Sequence, residues 1–123
     1  MGATKFTDLI VWQKAYVLSL KIRDLTETFP ASEQRHTDQM RAASSSIPQN
    51  IAEGFGRRTP NDQAHFYTIA KGSADELKVQ LMQTEDWKLC PDTRDLRALT
   101  DEVCAMLYRL RQKVLERRRQ TEQ

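Results

Sequence analysis

Apolar residues recur at three- and four-residue spacing in four separate stretches of this chain, the pattern that gathers side chains on one face of an α-helix. Val11, Ala15, Leu18, Ile22, Leu25 and Phe29 form the first seam, and Met40, Ala43, Ile47 and Ile51 the second. Phe66, Ala70, Ser73, Leu77 and Leu81 form the third, and Leu96, Leu99, Val103, Met106, Leu110 and Val114 the fourth. Helix breakers fall mostly between the seams, at Pro30, from Gly54-Phe55-Gly56 to Pro60, and at Pro91. The four glycines and four prolines are about half the usual share for a chain of this length, which excludes a turn-rich all-β architecture. The pattern predicts helices over about 8–28, 33–54, 60–88 and 93–118, within a single domain spanning 1–123. Connections this short make successive helices antiparallel neighbours. The expected fold is therefore all-α, an antiparallel up-down-up-down four-helix bundle.

Local signals refine the boundaries. Thr7 is the expected N-cap of the first helix, and Gly54 and Gly56 are expected to end the second in left-handed conformations. In Thr59-Pro60-Asn61-Asp62 threonine caps, proline occupies the first turn and aspartate returns a bond to the cap, which makes this the clearest helix start. Pro48 lies inside an otherwise helical pattern. Its ring clashes with the carbonyl of Ser44, so a kink is expected there, with Ser44, Ser45 and Ser46 close to the disturbed turn.

With 39% hydrophobic residues the chain can bury one core, and its formal charge of +2 makes it only mildly basic. No apolar run approaches the roughly 18 residues of a membrane span, and the first six residues lack the apolar core of a signal peptide. A soluble, cytoplasmic protein is expected. Cys90 and Cys104 form no CxxC pair and read as two reduced thiols.

The first helix has more apolar surface than one seam can hide. Leu9, Trp12, Tyr16 and Leu20 make a second stripe on roughly the opposite side, which predicts a homo-oligomer that buries it between subunits. On the second helix Gln39, Ser46, Asn50 and Glu53 form a polar stripe beside the apolar face, with Arg41 near them. A buried polar network that fixes helix register is the expected role of these five residues, ahead of a ligand site.

These residues also carry a resemblance. Asp8-Leu9 with Trp12-Gln13-Lys14-Ala15, then Ser46-Ile47-Pro48, then Asn50-Ile51-Ala52-Glu53-Gly54, and later Ala70-Lys71-Gly72-Ser73-Ala74-Asp75-Glu76-Leu77, resemble the bacterial four-helix-bundle family of ribosomal RNA intervening-sequence proteins over nearly the whole chain. The chain departs from the pattern at Trp87-Lys88-Leu89-Cys90, where such proteins more often have a Gly-Tyr turn. The resemblance implies a homopentameric ring around a central channel. It further implies kinship with the accessory variability proteins of diversity-generating retroelements, basic pentamers that partner a reverse transcriptase and bind nucleic acid. The family lacks an established catalytic activity.

The residues themselves point away from an enzyme. Glu33-x-x-His36 and Asp62-x-x-His65 mimic di-iron spacing, but each lies near the start of consecutive antiparallel helices. A 20-residue helix is about 30 Å long, so the two motifs are expected near opposite ends of the bundle and unable to share a metal. His36 and His65 are the only histidines, neither stands in a nucleophile motif, and no glycine-rich loop follows a strand. No catalytic residue, metal or cofactor is expected.

Charge is unevenly spread. Residues 1–60, 61–110 and 111–123 carry balances of +2, −3 and +3. Arg109, Arg111, Lys113, Arg117, Arg118 and Arg119 near the end, with Arg57 and Arg58 in the second connection, are the candidate phosphate contacts. One copy is a modest patch, whereas several copies on a ring sum into a basic surface. The expected function is salt-sensitive, sequence-nonspecific RNA or DNA binding beside a reverse transcriptase or ribosomal component, with a scaffold that binds only protein as the alternative.

Overall fold

Buried apolar seams and short connections give this chain four helices. The computed structural model describes residues 2–122. Helix α1 spans Ile10–Glu27, α2 Gln34–Phe55, α3 Pro60–Asp86 and α4 Arg94–Glu122, with 3-10 turns at Phe6–Asp8 and Ala31–Glu33. The described residues contain no strand. One core cluster draws on all four helices, and Leu18, Ile22, Met40, Ile47, Ile51, Leu77, Leu81 and Leu107 are its largest fully buried members. Each such side chain contributes about 1.5–3 kcal/mol by leaving water.

The helices pack around a square in which α1 and α3 each touch α2 and α4, and the described residues bring neither diagonal pair together. Along α2 and α3 the partners are His36 with Thr84, Ser46 with Ser73, and Gly54 with Tyr67. Along α3 and α4 they are Gln63 with Arg117, Thr68 with Arg111, Lys78 with Asp101, and Glu85 with Arg97. In both series residue numbers rise on one helix as they fall on the other. Arg41 reaches Thr26 on α1 at 2.9 Å, and Lys14 joins α1 to Glu102 on α4 at 2.7 Å.

Several expectations need correction. Helix α1 begins at Ile10, not near Asp8, because the Asp8 carboxylate accepts hydrogen bonds from the Thr4 and Lys5 amides and the Thr4 hydroxyl. Those bonds close a turn ahead of the helix and leave Thr7 inside it. Neither Gly54 nor Gly56 is left-handed. Gly56 has φ −81°, and Gly54 lies within α2, where a Cβ would stand 2.8 Å from Cε1 of Tyr67. Size, not backbone freedom, is what glycine supplies at 54. Helix α2 continues through Pro48, which is buried, so the proline does not end the helix.

At the other boundaries Thr59 caps α3 as expected, accepting from the Asp62 amide at 3.2 Å with Pro60 in the first turn. That helix stops at Asp86. Lys88 then takes φ 60°, and the Lys88 and Leu89 amides bond back to the Glu85 and Thr84 carbonyls. This double bond pattern usually has glycine in the left-handed position, and here a lysine holds it. Helix α4 runs past 118, and its core face is turned toward Thr100, Cys104 and Leu107 beside the expected Val103 and Val114.

Candidate nucleic-acid interface

The end of α2, the start of α3 and the end of α4 meet at one pole of the bundle, and this brings the two basic clusters together. Gln63 is the link. Its Nε2 donates to the Arg57 carbonyl at 2.9 Å, while its Oε1 accepts from Arg117 Nη2 at 3.1 Å. Arg118 donates to Asn61 Oδ1 at 3.3 Å, and Arg111 Nε to Thr68 Oγ1 at 3.1 Å. Arg57 lies 4.6 Å over the Phe66 ring and pairs with Glu53, one turn back on α2. Among the described residues Arg58, Arg109, Lys113 and Arg119 are exposed and form no ion pair. Beneath this surface burial pushes the Tyr67 phenol up to about 12, opposed by the nearby Arg117 charge, so the ring stays protonated.

The polar stripe of α2 does not form one network. Asn50 Nδ2 donates to the Ser46 carbonyl and hydroxyl at 2.8 and 2.9 Å, and Ser46 meets Ser73 at 2.8 Å, a half-buried lock between α2 and α3. Arg41 faces the other way, to Thr26, and Glu53 belongs to Arg57. Gln39 is exposed beside a hollow it shares with Glu33, Arg35, His36 and Trp87. The reason is angular: 46 and 50 lie on the flank toward α3, and 41 on the flank toward α1.

The second stripe of α1 also divides. Leu9 and Trp12 are half-buried against the core, with Trp12 between Phe6 and Tyr16 at ring distances of 5.1 Å. Tyr16 and Leu20 remain open, at 46% and 48% exposure. Trp12 and Tyr16 form one wall of an apolar groove of about 270 Å³ whose far wall is Ser45, Pro48, Gln49 and Ala52 of α2.

The opposite pole holds polar groups that sequence reasoning missed. His36 is buried and bonded to Thr84, whereas His65 is exposed beside Phe66. Because Thr84 lies 19 positions along α3 from His65, the two acid-x-x-His motifs stand at opposite poles. No cluster of three or more His, Cys, Asp or Glu among the described residues is arranged to hold a metal. Glu85 accepts from the Thr93 amide at 2.6 Å, the Thr93 hydroxyl at 2.7 Å and Arg97 at 3.2 Å, which caps α4 from the preceding helix. The Thr93 bonds, then Arg97, hold its carboxyl below the usual range. Both cysteines are free, and burial pushes the Cys104 thiol up.

A bundle of this form agrees with the sequence match. The family description "23S rRNA-intervening sequence protein" covers residues 7–109. The chain belongs to the 23S rRNA-intervening sequence protein family. That description names no reaction. No curated protein matches the chain. The matched range of this intervening-sequence protein includes the α1 stripe, the α2 stripe and Arg57, Arg58 and Arg109. It stops short of Arg111, Lys113, Arg117, Arg118 and Arg119, so the basic end of α4 lies outside what the family description covers. No described helix is long and apolar enough to cross a membrane.

Proposed function

We propose that this intervening-sequence protein is a non-catalytic, single-domain up-down-up-down bundle that closes into a homo-oligomeric ring and binds nucleic acid through the summed basic poles of its copies. The observation that carries the reading is the Gln63 bridge, which sets Arg57 and Arg58 beside the basic end of α4. Sequence position alone leaves these cations some fifty residues apart. Side-chain bonds from Arg111, Arg117 and Arg118 to neutral acceptors on α3 reduce the ordering cost of a phosphate contact. The family name supports RNA as the ligand, with a ribosomal component or a reverse transcriptase as the protein neighbour. Tyr16, Leu20 and the groove beside Trp12 supply the surface between copies, and a pentamer is the proposed stoichiometry.

Retention of single-stranded RNA over a salt series tests the binding. Arg117 and Arg118 also tie α4 to α3, so the informative substitutions are at the exposed cations. Arg58→Ala with Arg109→Ala and Lys113→Ala is expected to weaken binding at low salt and to flatten the slope of log K against log salt by about 0.7 per lost contact. No retention at low ionic strength overturns the reading in favour of a protein-binding scaffold that uses the Trp12 groove. Native mass spectrometry tests the ring: five times the protomer mass is expected, and Leu20→Glu with Tyr16→Glu is expected to shift the protein to the protomer mass.

A further inference from the structure

Opposite the basic pole lies a buried histidine for which nucleic-acid binding has no use. His36 sits near the start of α2 at 5% exposure. Its ring is held between Phe29 from the α1–α2 connection, 6.0 Å away and nearly parallel, and Trp87 from the α3–α4 turn, 4.7 Å away. Nε2 is 3.0 Å from Thr84 Oγ1 on α3. Three separate parts of the chain therefore close on one imidazole.

We propose that this pole is an acid-released clamp: neutral His36 ties the start of α2 to the α3–α4 turn, and protonation of the ring opens that turn while the rest of the bundle stays folded. The network assigns the proton. The Thr84 hydroxyl hydrogen has the Gln80 carbonyl at 2.8 Å and Met40 Sδ at 3.4 Å as acceptors, so its oxygen accepts from Nε2–H and the incoming proton goes to Nδ1. Among the described residues, what faces the ring from the other elements is uncharged: Phe29 from the α1–α2 connection, Trp87 from the turn, and Thr84 with the Gln80 backbone from α3. The charged groups beside it are Glu33 and Arg35, of opposite sign, which line the same hollow at the start of α2. Burial lowers the proton affinity of His36, and the Glu33 charge and a hydrogen bond with the Gln80 backbone offset this only in part.

The turn is poised to respond. Lys88 occupies a left-handed backbone conformation that lysine takes only under constraint, and the half-exposed Trp87 ring beside it is what clamps His36. The Lys88 and Leu89 amide bonds to Glu85 and Thr84 hold that conformation, and they are the bonds an opened turn gives up. The closed form binds fewer protons than the open one at this site. It is therefore fully favoured above the ordinary histidine value of 6.5 and is lost as pH falls below it, by up to tenfold in the closed-to-open ratio per pH unit.

Amide hydrogen exchange on the full chain, corrected for intrinsic pH dependence, tests this between about pH 7.5 and 5. Protection of the Trp87, Lys88 and Leu89 amides is expected to fall toward tenfold per unit at the acid end, while Leu77 and Val103 in mid-bundle hold theirs. His36→Phe keeps the stacking and removes the proton site, and His36→Gln keeps a polar group. In both variants the acid-dependent loss is expected to vanish. A flat wild-type profile overturns the proposal, and so does a loss that persists in the variants. Should neither variant fold, titration of the His36 ring by nitrogen NMR decides: a midpoint at or above 6.5 rejects the clamp, and one below it supports it.

Discussion

The two poles of this bundle treat polar side chains in opposite ways. At the basic pole Arg117 is exposed and Arg111 and Arg118 half-buried, and amide and hydroxyl side chains of α3 hold their guanidinium groups: Gln63, Thr68 and Asn61. At the other pole the polar groups are inside. His36, Thr37, Thr84 and Thr93 are buried; His36 bonds Thr84, Thr84 also reaches the Gln80 carbonyl and Met40 Sδ, and Thr93 bonds Glu85 and the Leu81 carbonyl. The first arrangement offers charge to a partner, and the second uses polarity to fix how three chain segments meet. Surface cations tolerate substitution, whereas a buried donor left without its partner costs about 1–3 kcal/mol.

Substitutions at the two poles should separate these roles. The largest loss is expected from Gly54→Leu at the basic pole. Its side chain must occupy space already filled by the buried Tyr67 ring and by Phe66 Cβ at 3.0 Å, and denaturant titration should show about 3 kcal/mol of destabilisation. Gly54→Ala should also destabilise, although alanine in a helix interior normally gains about 1 kcal/mol over glycine. A stabilised alanine variant would break the argument that glycine is there for its size.

Next in size is Thr84→Val, which keeps the shape and strips the acceptor from His36. The expected loss is about 1–2 kcal/mol by thermal or chemical unfolding. An unchanged midpoint would mean that His36 finds another partner and that the second pole is not built on this bond. Lys88→Gly should go the other way. Relief of the left-handed lysine is expected to raise stability by about 1 kcal/mol, visible as a higher melting temperature. The smallest effect belongs to Arg58→Ala and Lys113→Ala, expected within about 0.5 kcal/mol of the parent even as RNA retention falls. A large stability loss there would merge the two poles into one structural class.

The same contrast explains what the sequence disclosed. Seams of period three to four located all four helices, because burying a stripe is what makes an amphipathic helix stable, and the capped start at Thr59 was legible to the residue. The basic clusters were legible as counts of charge. Their convergence was not, since it depends on Gln63, an ordinary glutamine with no pattern of its own. The polar stripe of α2 misled for a related reason: periodicity places residues on a face but does not say which neighbour that face meets, so Arg41 and Ser46 went to different helices. The buried threonines were invisible because Thr26, Thr84 and Thr100 satisfy their hydroxyls on their own carbonyls a turn back, at Ile22, Gln80 and Leu96. The helix-end position of Gly54 and Gly56 suggests backbone freedom, whereas the demand at 54 comes from Tyr67 across the bundle.

The contacts between α2 and α3 work like the teeth of a rack. His36 with Thr84, Ser46 with Ser73 and the Gly54 notch under Tyr67 are distributed along almost the whole shared length, so sliding one helix by a single residue disengages all three at once. Among the described residues, helix α1 meets α2 through an apolar seam with one side-chain hydrogen bond, from Arg41 to Thr26. The middle hairpin is thus the rigid spine of the molecule. In the proposed ring, adjustment between copies would fall to α1, where Tyr16 and Leu20 remain open.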